Sequence, residues 1–281
     1  MGLMRAPGWT ILAALAAAGV ASCAAPVRRL TTRVVDDRIV VPKRMVSIAV
    51  DGHYFHYKPT DARGASFIGG FRFGITDRLE LDGVFSLRYA ILDDRPVDGR
   101  TPMPLSLSVQ AGTYGIGYSS MEGMFLLPVA AVDALKHVGD RWTLSLRASW
   151  NAQYVATPFN WTPAYNDSLH YWSRRFSVVG IDGNATRQLD DHVAVGFGAG
   201  VDQFNDCVSP TCGWVSQGAG ASIRVIVRPW HWVTFSGGSS AGIRHRPDAL
   251  LPTRYPDGDN ITTQPLTVEW MSLNAGVAFY W

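Results

Sequence analysis

Within several long alternating segments, the charged side chains fall on the polar parity, and they are the groups whose chemistry could act on a solute. The charged residues that share this parity are Asp51, His53, Arg72, Glu80, Asp82, Arg88, Arg147, Asp182, Asp202, Arg224 and Arg244. Both signs occur, so these groups could form a network of ion pairs. Alternatively, they could line a pore and select solutes by charge. The ion-pair network is the preferred interpretation.

Two cysteines form the next candidate group. Cys207 and Cys212 are separated by four residues, and Pro210 between them favours a turn. In an exported protein such a pair predicts a disulfide that closes a loop. A metal site would need further Cys or His residues at ligand spacing, and none is near. The sequence therefore predicts neither a metal site nor a cofactor.

An acidic pair and a histidine are the candidates for hydrolysis. Asp93 and Asp94 begin a long loop, and His245 ends a later alternating segment. Hydrolysis at a loop rim would require these groups to converge there. No Ser–His pair has a supporting spacing. We therefore assign no catalytic residue from the sequence.

The elements that must position these groups are read from the hydrophobic pattern. After Met45, apolar and polar residues alternate repeatedly, as in Trp142–Trp150 and Val193–Val201. A period of two indicates strands with one apolar and one polar face. These segments run for 12 to 17 residues, whereas strands of soluble proteins usually have about five or six. This length favours a transmembrane antiparallel up-and-down β-barrel with an apolar outside and a polar interior.

Short turns and long loops give the predicted strand count. Four short polar turns alternate with five long segments, which indicates about ten strands, with 8 to 12 possible. The predicted strands are 45–57, 65–76, 78–92, 124–137, 141–156, 174–188, 192–204, 214–228, 231–245 and 265–281. Leu105–Tyr118 also has a strand-like pattern. It is interpreted as a hairpin arm in an outer loop, 93–123, or as part of a twelve-strand barrel.

The N-terminus has the pattern of an export signal. Residues 1–23 combine a positive charge, an apolar run and small residues, which predicts a signal peptide. The apolar run is shorter than the ~20 residues that a membrane-spanning helix needs. Residues 20–23 also resemble a lipobox, which makes Cys23 a possible lipidation site. Residues 24–44 are predicted to be a periplasmic lead-in rather than a plug that enters the lumen, because so short a segment fills little volume. Residues 45–281 are predicted to be the barrel.

The C-terminus carries the most specific motif. Asn274, Gly276, Phe279 and Trp281 follow the order polar, glycine, hydrophobic, terminal aromatic. This order resembles the β-signal that outer-membrane barrels present to the barrel-assembly machinery. Together with the export signal and the long strands, it makes residues 45–281 resemble a bacterial outer-membrane β-barrel protein. The resemblance implies an outer-membrane location, with membrane lipid and the assembly machinery as partners, and it identifies no subfamily.

Composition narrows the functional classes. Lys and Arg number 25 against 23 Asp and Glu, and the net charge of +2 argues against nucleic-acid binding. The sequence favours a small channel or porin-like protein for the passive movement of small solutes. The alternative is a closed structural or surface-interaction barrel that uses its outer loops. A third hypothesis is an outer-membrane hydrolase that acts at the loop rim.

Overall fold

Twelve antiparallel strands make up the structure. It is a computed structural model that describes residues 30–58, 62–83, 85–95, 101–119, 123–156, 172–206, 214–250 and 263–281. The strands are β1 (Val46–Lys58), β2 (Ala62–Gly74), β3 (Leu79–Asp82), β4 (Phe85–Leu92), β5 (Ser106–Ser119), β6 (Gly123–Val138), β7 (Trp142–Ala156), β8 (Trp172–Gln188), β9 (Val193–Asp206), β10 (Trp214–Trp230), β11 (Val233–Leu250) and β12 (Thr263–Tyr280).

The sheet closes on itself. Each strand pairs antiparallel with the next along the chain, and β12 pairs with β1 over the register Ser47↔Tyr280 to Lys58↔Glu269. Closure pairs the strands with neighbours on both sides, as strands that cross lipid require, except along the outer part of β2 described below. The predicted antiparallel up-and-down barrel is confirmed. The strand count is twelve, at the upper end of the expected range.

One of the two additional strands comes from the predicted strand 78–92, which is a hairpin. β3 and β4 pair with Leu81 opposite Leu87, and Gly83 at the reversal has a φ of 75°. Because Leu81 and Leu87 lie directly opposite, the apolar parity continues unchanged through the turn. The Asp82–Gly83 pair is the local signal for a hairpin, and the unbroken alternation hid it.

The other additional strand is β5, within Leu105–Tyr118, for which the sequence leaves open an arm in an outer loop or a place in a twelve-strand barrel; the structure confirms the second alternative. β5 pairs with β4 and with β6, and thus belongs to the barrel. The predicted outer loop 93–123 is therefore wrong. The segment between β4 and β5 lies at the periplasmic end, and Asp93 and Asp94 lie there with it.

The outward faces of the strands form an apolar belt. Leu87 and Ile223 are each 47% exposed, and Leu273 is 56% exposed. The residues of opposite parity on the same strands are polar or small. This is the distribution of a barrel that spans an outer membrane, with lipid outside and a polar interior. In the part of the chain that the structure describes, no helix is long and apolar enough to cross a membrane.

Residues 30–45, which we call the N-terminal plug, cover the periplasmic end of the lumen. They include a short 3₁₀ helix, Val34–Asp36, and no strand. Ile39 and Val40 pack against Ala90 and against the partly buried Leu135 on the inner wall. The apolar core of the molecule therefore lies inside the barrel mouth.

Beside β2, the outer part of the barrel wall lacks a pairing strand. β3 pairs with β2 only at Arg72–Gly74, and Gly83 N donates a hydrogen bond to Phe71 O above them. Residues 62–70 of β2 pair with β1 alone, and no ladder joins β2 to β5 among the described residues. Phe67, in this part of β2, is 82% exposed. The outer half of the wall therefore has a gap above the β3–β4 hairpin.

Candidate functional site in the barrel lumen

A network of ion pairs occupies one side of the lumen. Glu80 has no exposed surface and lies 2.8 Å from Arg72 Nη2 and 3.4 Å from Arg88 Nη1. The register of the β3–β4 hairpin places Glu80 directly opposite Arg88, which also lies 2.9 Å from Asp82. A buried carboxylate needs such partners, because an unpaired charge away from water is costly.

The network continues onto β5, β6 and β7. Arg147 Nη1 lies 2.8 Å from Asp133, which faces it across the β6–β7 register. Arg147 Nη2 and Asp82 both bind the amide of Gln110, at 2.8 and 3.1 Å. The side chains of six strands, β2 to β7, are thereby linked across one half of the lumen. Several charges that the sequence assigned to one parity are brought together here.

The N-terminal plug is held by a second set of polar contacts. Arg228 is 1% exposed, and its two terminal nitrogens donate to the carboxylate oxygens of Asp37 at 2.7 Å each. On the opposite side of the lumen, Val41 N donates to Glu80 Oε2 at 2.5 Å. Glu80 therefore serves both the wall network and the plug.

Further contacts fix the plug to the turns at the periplasmic end. Arg38 pairs with Asp93, and Arg95 Nη1 lies 2.8 Å from Asp36. The main-chain N–H of Val35 donates to Gln188 Oε1 at 3.2 Å. The plug is thus bound to β3, β8, β10 and the β4–β5 segment. The sequence favoured a lead-in over a plug because the segment is short, and the small number of residues is offset here by ion pairs and hydrogen bonds to several strands.

Asp94 belongs to a local cluster with Ser106 and His137. Asp94 Oδ1 accepts a hydrogen bond from Ser106 Oγ at 2.7 Å, and Asp94 lies 2.9 Å from His137 Nδ1. Burial raises the pKa of Asp94, but hydrogen bonds from His137 and Ser106 outweigh burial and leave the pKa lowered. Ser106 therefore bonds the carboxylate rather than the imidazole, which is not the geometry of an activated nucleophile.

The residues that the hydrolase hypothesis requires to converge lie far apart in the structure. Asp93 and Asp94 lie at the periplasmic end, whereas His245 lies toward the far end of β11, next to Thr267 on β12. Within the described residues, no group of three or more His, Cys, Asp or Glu side chains could hold a metal ion.

A second part of the lumen is open. On the inner wall of β7–β10 and β12, a cavity of about 520 Å³, which we call the luminal bay, lies above the plug. Its polar and charged lining residues are Arg147, Asp182, Asn184, Asp202, Ser222 and Arg224. Asp202 pairs with Arg244 at 2.7 Å. Arg224 has neither a hydrogen-bond nor an ion-pair partner in the part of the chain that the structure describes.

The remaining predicted luminal residues, Asp51 and His53, lie on β1 opposite β12. Asp51 lies opposite Gly276, where a Cβ would come within 1.9 Å of Asp51 Oδ1. His53 lies opposite Asn274. The small residue at position 276 thus gives the Asp51 carboxylate its space.

The C-terminal aromatic residues stack at the periplasmic end. The ring of Phe279 lies 6.1 Å from that of Trp281 and 6.4 Å from that of Trp232, which stacks on Trp230 at 5.5 Å. The main chain of Trp281 exchanges two hydrogen bonds with Val46, of 2.9 and 3.0 Å. The predicted assembly motif therefore lies at the junction of β12 and β1.

Three predicted sites lie outside the described residues. They are the possible lipidation site Cys23 and the two cysteines of the predicted disulfide, Cys207 and Cys212. The signal peptide, 1–23, lies there as well. These remain predictions.

No protein-family model matches this sequence, and no curated protein matches it either. Solved structures with a similar shape include the OmpT outer-membrane protein of Vibrio cholerae, at 10% identity and a TM-score of 0.40, covering 86% of this chain and 100% of that one. An outer-membrane channel of Pseudomonas putida F1 has 12% identity and a TM-score of 0.45, covering 88% and 98%. The outer-membrane protease OmpT of Escherichia coli has 6% identity and a TM-score of 0.33, covering 88% and 100%. No functional inference follows from likeness at this level.

Proposed function

We propose that this outer-membrane barrel is a channel for the passive movement of small polar solutes, and that the N-terminal plug is its gate. The observation that carries the proposal is the open luminal bay directly above a plug that is held by side-chain contacts.

The lining of the bay supports passage of solutes that carry hydrogen-bonding groups. Asp182 and Arg224 are exposed to the lumen, and Asn184 and Ser222 lie between them on neighbouring strands. Fixed charges and hydrogen-bonding groups in a narrow lumen set the barrier for each solute. The bay thus has the chemistry to prefer some solutes over others.

The plug has the attachment expected of a movable element. Residues 30–45 form no strand pairing with the wall, and their contacts are ion pairs, single hydrogen bonds and a small apolar cluster. Such contacts can be broken without opening the barrel sheet. A segment threaded through the sheet as a strand could not leave without breaking a whole ladder of hydrogen bonds.

The alternative is a permanently closed barrel, and the wall network favours it. Glu80, Arg72 and Arg88 tie the plug side of the lumen together with a carboxylate that has no exposed surface. Breaking a buried pair typically costs about 3–5 kcal/mol. If the plug never leaves, the outer loops become the functional surface.

Single-channel recording in planar lipid bilayers separates the two functions. The full chain and the variant Asp37→Ala with Arg38→Ala should be compared, because these substitutions remove the plug's pairs with Arg228 and Asp93. We expect low conductance for the full chain and a several-fold rise for the variant. Asp191→Ala, which removes an exposed carboxylate from the β8–β9 turn, is the matched control and should change nothing.

The outcome that overturns the channel is equally clear. If the folded full chain and the folded plug variant both fail to conduct, the barrel is closed. Folding is verified beforehand by heat-modifiable migration on SDS gels, so that an absence of conductance cannot be attributed to unfolded protein.

The C-terminal motif gives the proposed assembly partner. We propose that Asn274, Gly276, Phe279 and Trp281 address the chain to the barrel-assembly machinery after export by the signal peptide.

A further inference from the structure

An aromatic side chain lies flat on the inner wall of the luminal bay. Trp270 of β12 is half-buried, and its ring covers Gly220 and Gly242 on the neighbouring strands. A Cβ at Gly220 would lie 2.8 Å from Trp270 Cζ2, and one at Gly242 would lie 2.7 Å from the same atom. The two glycines therefore create the space for one face of the indole, and the other face is left toward the lumen.

A row of hydroxyl and amide groups lies one level below the indole. The register across β8, β9, β10, β11 and β12 aligns Asn184, Gly198, Ser222, Ser240 and Ser272. A Cβ at Gly198 would come within 2.5 Å of Ser222 Oγ and 2.6 Å of Asn184 Oδ1. The glycine thus keeps these polar atoms accessible on an otherwise flat wall.

Arg224 lies on the next level, and its guanidinium has no partner among the residues that the structure describes. Other inward arginines of the described strands have carboxylate partners, such as Asp202 for Arg244 at 2.7 Å and Asp37 for Arg228 at 2.7 Å. Arg224 has no such partner among the described residues and faces Gly196, where a Cβ would lie 3.6 Å from Arg224 Nε. An unpaired guanidinium that is exposed to a polar cavity is suited to a planar anion.

From these three levels we infer that the luminal bay binds a hydroxylated carboxylate of the sugar-acid class. The indole face packs against the C–H face of the ring, the row of Asn184 and Ser222 bonds ring hydroxyls, and Arg224 pairs with the carboxylate. Gly220 and Arg224 are four positions apart on β10, which corresponds to about 13 Å. One monosaccharide ring and the reach of an arginine side chain together span that length.

This inference rests on the proposed function, because a solute site in the lumen is of use to a channel. Binding itself, however, does not require conduction. It is therefore tested on the folded full chain in detergent by isothermal titration calorimetry with glucuronate. Glucose lacks the carboxylate, and acetate lacks the ring and hydroxyls. We expect saturable binding of glucuronate that is at least tenfold tighter than that of either comparison solute.

Matched variants assign the binding to the bay. Arg224→Gln should weaken glucuronate binding at least tenfold. Arg187→Gln should leave it unchanged, because Arg187 lies over the ring of Trp142, 5.5 Å from its centroid, and outside the bay. Trp270→Leu should weaken binding of glucuronate but not of acetate, and Trp270→Phe should retain most of it.

The contrary results are distinct from failure of the channel. Equal binding of acetate and glucuronate, or full binding by Arg224→Gln, overturns the sugar-acid site even if the barrel conducts. Saturable, Arg224-dependent binding in a barrel that never conducts supports the site and overturns only the channel.

Discussion

Two arginines on one face of β10 show how neighbours decide the role of a side chain. Arg228 is 1% exposed and donates to both carboxylate oxygens of Asp37. Arg224, four residues away on the same face, is exposed to the lumen and has no partner among the described residues. The guanidinium of Arg228 therefore holds the plug at the periplasmic mouth, whereas that of Arg224, one level further into the lumen, is accessible to a solute.

The outward parity of β10 gives the first prediction at this scale. Ile223 faces the lipid and is 47% exposed. Ile223→Arg therefore places a charge in the lipid, which lowers the free energy of unfolding by about 2–4 kcal/mol near the bilayer midplane. Urea unfolding in lipid vesicles should show this loss. Ser222→Arg, one residue away, faces the bay and should cost much less. Equal losses for the two variants would reverse the assignment of inside and outside.

The loop cysteines give a second prediction. Cys207 and Cys212 should be oxidised to each other in protein from cells, because the exported environment favours disulfides. Labelling with a thiol reagent should fail without a reductant and succeed with one. Cys207→Ser should still fold, since strand pairing closes the barrel. Free reaction of both thiols in untreated protein is the result that rules the disulfide out.

At the scale of elements, the hydrophobic period predicts strand parity, but it shows neither the turn inside 78–92 nor the contacts of the plug. Parity is a local property, and it assigns Glu80 and Arg88 to one face whether or not the chain reverses between them. The reversal at Gly83 left the pattern intact, so the hydrophobic period carried no trace of it. The contacts of the plug join residues far apart in sequence, such as Asp37 and Arg228, and spacing alone cannot reveal them.

The segment between β4 and β5 should lose stability in acid. The pKa of Asp94 is lowered from 3.8 in the folded state, so its contribution is present above that value and is lost as pH falls through the lowered pKa. Asp94→Asn should therefore melt below the wild type at pH 7, and the difference should shrink below pH 3.8. A difference in melting temperature that persists undiminished at lower pH would contradict this assignment. Asp191→Asn, in an exposed turn, is the control.

The gap beside β2 should be visible in amide exchange. Phe71 O bonds Gly83 N, so the odd residues of β2 direct their polar groups toward β3. Above the hairpin, the N–H groups of Phe67 and Gly69 face the gap, while those of Ser66 and Gly70 face β1. Exchange measured by NMR should be faster at Phe67 and Gly69. Uniform protection along β2 would show that the wall is closed there.

For the whole molecule, the two ends of the barrel chain and the plug meet at one place. Val46, at the start of β1, exchanges hydrogen bonds with Trp281, and the guanidinium of Arg228 lies 5.3 Å from the ring centroid of Tyr280. The plug bridges Arg228 on β10 and Glu80 on β3, which lie on different sides of the lumen. Its full set of contacts therefore exists only after β12 has paired with β1, and closure of the barrel must precede closure of the gate.

This order makes the C-terminal strand the first requirement, and the last prediction tests it. Phe279→Ser with Trp281→Ser removes the terminal aromatic side chains but keeps the main-chain hydrogen bonds between Trp281 and Val46. The substitutions also remove the ring stacking of Phe279 with Trp232 and Trp281, so refolding of the purified variant in lipid vesicles distinguishes lost recognition by the assembly machinery from a weakened strand junction. We expect the variant to be degraded in the periplasm, with several-fold less heat-modifiable protein in outer-membrane fractions. Trp142→Ser removes an aromatic from the end of β7, outside the motif, and should assemble normally. Normal outer-membrane levels of the double variant would show that assembly does not depend on these two side chains.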